Sequence, residues 1–165
     1  MKLYFLRHAT ATDIAPSDAE RALTGEGREE ARIAGAALGA LDAQPARMFT
    51  SPLVRAQQTA RITAKELRFD REIIELDELK PGKTTAALFR ALKPHQDEGD
   101  LLLVGHMPGL AEDVAALIGA DRTESLALGK GGIACVETEQ IKTGAGQLRW
   151  LMRQAQLRQI AERAK

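Results

Sequence analysis

The run KLYFLRH, residues 2–8, sets a block of large apolar side chains directly against an arginine and a histidine, and LLLVGH, residues 101–106, repeats that form later in the chain. Apolar runs this brief, bounded by polar residues or glycine, read as strands buried on both faces, the setting of a central parallel strand. Ligands of open α/β sheets gather outside the carboxyl ends of such strands. Arg7-His8 and Gly105-His106 therefore stand where a ligand is met.

Outward from these two runs, strand and helix patterns alternate. RMFT (47–50) and REIIEL (71–76) fill strand slots. Ala31, Ala34, Leu38 and Leu41 recur at helical spacing, as do Leu53, Ala56, Ala60, Ala64 and Leu67. Thr24 is the expected N-cap of the first helix, with Glu26 in its opening turn, where the dipole favours an anion. TTAALFRAL (84–92) supplies a third helix, and a fourth runs from about Pro108 to Ile118, proline being tolerated in a first turn. GIACVETE (132–139) and QLRWLM (147–152) read as a hairpin at a sheet edge. Leu157, Ile160, Ala161 and Ala164 form one stripe of a last short helix. The expected architecture is α/β, a three-layer sandwich with a mostly parallel central sheet, helices on both faces and an antiparallel edge.

The chain has 165 residues, the size of one ordinary domain, so a single domain over 1–165 is expected. Its 44% apolar and 28% charged residues are a globular composition. Lys+Arg and Asp+Glu both number 23, so no overall field gathers nucleic acid and any anion site must be local. The opening residues carry no signal-peptide pattern, and nothing approaches the roughly 20 apolar residues needed to cross a bilayer. A cytoplasmic protein that acts without a membrane is expected. The lone Cys135 sits in an apolar run and reads as a buried, inert thiol.

A third strand end matches the other two. TSPLVRAQQTA (50–60) follows RMFT, with Pro52 fixing the turn and Arg55 opening the next helix. Two arginines and two histidines are thus delivered by loops that follow buried strands. Arginine offers a planar fork that suits phosphate oxygens, and two forks can hold one phosphoryl group from two sides. An imidazole can take that group as a nucleophile and pass it to water. His8, aimed by a rigid strand, is the candidate nucleophile, and His106 the candidate donor to the equatorial oxygens. Taken singly, each piece has an ordinary reading: a surface Arg-His pair, a strand-to-helix turn, a solvated helix face. His95, in KPHQDEG, has no strand behind it and reads as a surface residue.

Together, in this order, these pieces resemble the histidine phosphatase superfamily, also called phosphoglycerate mutase-like. Arg7-His8 matches its first motif, Arg55 its second arginine and His106 its second histidine, while RALTGEGREEA (21–31) resembles its first helix start. The short chain, DAERALTGEGREEA and GKGGIACVE are similar to the small SixA branch of phosphohistidine phosphatases. The resemblance implies a phosphoglycerate mutase-like fold, a covalent phosphohistidine on His8, a pocket of Arg7, Arg55 and His106, and neither metal nor other cofactor. It places Arg21 at the pocket mouth and a proton donor in ELDELKPG (75–82), with Glu78 the best-placed acid and Asp77 and Glu75 behind it. Surface charge accounts for that acidic run equally well. Ala9 and Thr10 follow the first histidine where many members have glycine.

The implied reaction is removal of phosphate from histidine on a phosphorelay or phosphocarrier protein. Two alternatives stay open: a phosphatase for a small phosphomonoester, and a non-catalytic module that binds phosphate or a partner. A chain this short leaves little to roof the pocket, and an open site admits a phosphorylated side chain on another protein. The oligomeric state is not legible, and a monomer is compatible with the sequence.

Overall fold

A computed structural model describes residues 1–164. Six strands form one sheet: β1 (Lys2–Arg7), β2 (Arg47–Thr50), β3 (Ile73–Glu75), β4 (Leu101–Gly105), β5 (Ile133–Thr138) and β6 (Gly146–Met152). Their order is β3-β2-β4-β1-β5-β6. The pairs among β1 to β4 are parallel, while β5 runs antiparallel to β1 and β6. The helices are α1 (Gly25–Ala40), α2 (Val54–Glu66), α3 (Thr85–Leu92), α4 (Gly109–Ile118) and α5 (Gln154–Arg163).

Strand period divides the core in two. Leu3 and Phe5 of β1, with Leu101 and Leu103 of β4, face α3 and α4 through Leu88, Leu92, Leu110 and Leu117. Tyr4, Leu6, Leu102 and Val104 face the other way, onto Ile33, Leu38, Ala60 and Leu157 of α1, α2 and α5. Successive side chains of a strand point to opposite faces. That is why KLYFL and LLLV are apolar at every position, and the three-layer α/β sandwich expected from them is the one observed.

The turns follow local chemistry. Thr24 Oγ1 accepts from the Gly27 amide and caps α1, as its sequence position predicted. REIIEL contributes only Ile73–Glu75 to the sheet, because β3 is an edge that pairs with β2 alone. Pro108 precedes α4 at its N-cap instead of sitting in the first turn. In α5, Leu157 and Ala161 are buried and Ile160 is half-buried, but Ala164 lies at the C-cap and is exposed, so the apolar stripe is one residue shorter than expected. Cys135 is buried, and that burial pushes its thiol up to about 11. His95 lies at the surface as expected, half-buried, with its ring 5.0 Å from Phe49 and its Nδ1 3.1 Å from Glu98.

Candidate active site

Strand register brings the three loops together. β4 lies between β1 and β2, with Arg7 opposite Gly105 and Thr50 opposite Val104. The next residues out are His8, Ser51 and His106. The His8 amide donates to Gly105 O at 3.0 Å and the Ser51 amide to Val104 O at 2.9 Å, so the chains stay paired as they leave the sheet. The His8 and His106 rings meet with centroids 5.0 Å apart and planes inclined by 51°.

The loop after His8 is fixed from three sides. Ala9 is fully buried and its amide donates to Thr59 Oγ1 at 3.1 Å; Thr59 in turn donates to Arg55 O at 2.7 Å. Thr10 donates from its amide and its hydroxyl to the Glu30 carboxylate, at 2.7 and 3.1 Å. A Cβ at Gly27 would overlap the Thr10 carbonyl, so the small residue in TGEG is what lets α1 approach this loop. From the other side, the Gly131 amide donates to Arg7 O and His8 O at 3.2 and 3.3 Å, with φ +64° at Gly131, where a side chain is disfavoured.

Tautomers follow from these contacts. His8 Nδ1 is 2.8 Å from Ala9 O. A carbonyl only accepts, so Nδ1 carries the ring proton and Nε2 keeps its lone pair. Burial holds the His8 ring well below the usual histidine range, at about 4; the Ala9 carbonyl opposes this, and the Arg55, Arg7 and Lys130 charges reinforce it. His106 is lowered further, to about 3, by burial first and then by His8 and Arg55, with Asp18 acting in the opposite sense. Both rings are neutral at pH 7. His106 Nε2 is 2.8 Å from Ser51 Oγ, and its buried Nδ1 has no partner among the described residues.

Arg55 is buried, and its two terminal nitrogens donate to Asp18, Nη1 to the backbone O at 2.7 Å and Nη2 to Oδ2 at 3.1 Å. Arg7 Nη1 donates to Leu128 O at 2.8 Å, and burial lowers the Arg7 guanidinium below the usual arginine range. The Nε atoms of both arginines are buried without a partner among the described residues. Arg21 does not enter this cluster. It ties down the loop before it, donating from Nε to Thr12 O at 2.8 Å and pairing with Asp13 and Asp18 at 2.8 and 3.2 Å.

Of the three acids in ELDELKPG, Glu78 is half-buried and lines a small cleft with His106, Lys80, Lys83 and Asp113. Asp77 pairs with Lys80 at 2.8 Å, and Glu75 accepts from Gln57 at 2.6 Å. A larger groove of about 680 Å³, between Met1 and Gln147, lies by Glu137. Glu137 pairs with Lys2, at the end of β1 remote from His8, so that groove is no part of this site.

Two guanidinium groups and two neutral rings around one spot suit a tetrahedral oxyanion and nucleophilic attack on it. A family model described as histidine phosphatase superfamily, branch 1, matches residues 3–100. The chain belongs to that superfamily. His106 lies beyond the matched residues, and its place beside His8 comes from the fold. The chain is 29% identical to the phosphohistidine phosphatase SixA of Escherichia coli, over 71% of this chain and 74% of that one. It is 31% identical to the SixA homolog of Haemophilus influenzae, over 72% and 78%. A solved structure of the protein histidine phosphatase SixA complexed with tungstate superposes with a TM-score of 0.88 at 26% identity, covering 95% of this chain and 99% of that one. The fold is the mostly parallel α/β fold of that superfamily.

Among the described residues, no group of three or more His, Cys, Asp or Glu side chains could hold a metal ion, and no helix is long and apolar enough to cross a membrane. Two polar partners of the site were not foreseen in the sequence. They are Ser51, which contacts His106, and Asp18, which contacts Arg55.

Proposed function

We propose that this chain hydrolyses phosphohistidine on a protein, with His8 as the nucleophile. The observation that carries the proposal is the 2.8 Å contact of His8 Nδ1 with Ala9 O, an acceptor that places the ring proton on Nδ1 and leaves Nε2 its lone pair at the end of β1. In the first step Nε2 forms a bond to phosphorus as the substrate P–N bond breaks. A substrate ring protonated on its second nitrogen leaves as neutral imidazole and needs no strong acid. In the second step water attacks phospho-His8, inorganic phosphate departs, and the His8 ring returns to its neutral form with the proton still on Nδ1.

Arg7 and Arg55 balance the phosphoryl charge, and His106 donates to an equatorial oxygen. The Ser51 contact is compatible with that role: a hydroxyl can donate to a ring nitrogen, and in the tautomer this role needs, Ser51 Oγ donates to His106 Nε2 while Nδ1 carries the N–H. Glu78, beside His106, is the candidate acid for an oxygen leaving group. The phosphohistidine substrate is supported by the names of the two bacterial relatives. A cytoplasmic setting and a single domain belong to the same proposal.

The test is a substrate panel. A phosphohistidine carrier protein should turn over faster than sugar phosphates or other small phosphomonoesters, and His8→Ala should abolish both reactions. Glu78→Gln should slow ester hydrolysis about 100-fold while leaving phosphohistidine hydrolysis within a few-fold, the size expected for loss of a general acid. Fast ester turnover with an inert phosphohistidine protein would assign the site to small phosphomonoesters.

A further inference from the structure

Asp18 takes no part in the chemistry above, yet both terminal nitrogens of Arg55 end on it. Its second carboxylate oxygen accepts from Arg21 Nη1 at 3.2 Å. Arg21 is itself held by Thr12 O and by Asp13. A chain of charge-assisted bonds therefore runs from an exposed loop, residues 12–20, to a guanidinium that is buried among the two histidines.

Two roles fit a carboxylate on such an arginine. It could occupy the place of the phosphate and be displaced, or it could anchor the guanidinium from behind. The contacts favour anchoring. Half of the Asp18 grip is a backbone carbonyl, which stays in place unless the loop itself moves. Arg7 repeats the pattern, with one terminal nitrogen on the Leu128 carbonyl and Nε buried without a partner among the described residues. A buried donor left unpaired is unfavourable, so two such Nε atoms at one site mark the side on which an acceptor is expected. The end of the Arg55 fork is spoken for, and the Nε–Nη2 edge is the one left.

We propose that Asp18 is a positioning residue for Arg55: with Arg21 behind it, Asp18 fixes the guanidinium so that its Nε–Nη2 edge meets the phosphoryl oxygens. The proposal rests on the phosphoryl-binding reading of the site, not on the identity of the phosphorylated substrate. Asp18 touches neither the phosphorus nor the nucleophile; it acts through Arg55.

The test is equilibrium binding of orthovanadate to the full chain, with melting temperature measured in parallel. Asp18→Ala should weaken binding about tenfold, the loss of one charge-assisted contact. Asp18→Asn, which keeps an acceptor oxygen, should recover most of it. In an Arg55→Lys background, Asp18→Ala should change binding less than about twofold, because the fork it positions is gone. Arg21→Ala, which loosens Asp18 without removing it, should shift binding the same way and gives a second route if Asp18→Ala does not fold. Unchanged or tighter binding in Asp18→Ala, or in Arg21→Ala where that is the variant that folds, overturns the proposal, as does a full tenfold loss that persists in the Arg55→Lys background. A wild-type chain that binds no orthovanadate overturns the phosphatase reading first, and this proposal with it.

Discussion

The Ala9 carbonyl settles which nitrogen of His8 is free, and burial settles that the ring is neutral. The free ring should therefore keep its lone pair far into the acid range. A ¹³C or ¹⁵N titration of the imidazoles checks this: His8 and His106 should show midpoints below pH 5, whereas a midpoint near 6.5 for His8 would mean that the ring is not buried as described. Stability moves with the same protons. As pH falls below about 6.5, the unfolded chain takes up protons that the folded rings refuse until about 4 and 3, so these two residues weaken the fold progressively over that window. Arg7, His8, Arg55 and His106 were legible in the sequence because Arg7 ends an apolar strand, His8 and His106 directly follow one, and Arg55 opens the helix after the next. Ser51 and Asp18 were not, since what marks them is a partner far along the chain, His106 for one and Arg55 for the other.

At the scale of elements, the packing of α3 on α4 leaves an acid inside. Asp113 of α4 is buried and accepts from Thr85 Oγ1, at the start of α3, at 2.7 Å. Burial pushes its carboxyl up to about 7, against the Thr85 bond, with Glu112 adding to the rise. Between about pH 4 and 7 the unfolded chain gives up this proton while the folded chain keeps it, so stability is lost as pH rises through the window. Asp113→Asn keeps an acceptor for Thr85 and removes the charge. It should stabilise the protein at pH 8 by a few kcal/mol and much less at pH 4, read by urea unfolding at both values; equal shifts at the two pH values would rule out a buried ionisation. The helices and the two central strands could be read from spacing because burial on both faces leaves a strong pattern. The extent of β3 could not, because an edge strand paired on one side carries a weaker one.

Across the whole molecule, a formal charge of zero coexists with a cluster of local cations around two neutral rings. Parallel pairing of β1 and β2 with β4 gathers three loops at one sheet end, although their motif residues lie 47 to 51 positions apart, as His8–Arg55 and Arg55–His106 do. That convergence is what the sequence could only suggest, since strand order is not written in any one segment. Its most direct test is to mix the protein with a ³²P-labelled phosphohistidine carrier protein, quench within milliseconds and map the label. Phosphate should appear on His8, stable in base and lost in acid, and His8→Ala should neither take up label nor release phosphate. Label on another residue, or full turnover by His8→Ala, would contradict the account.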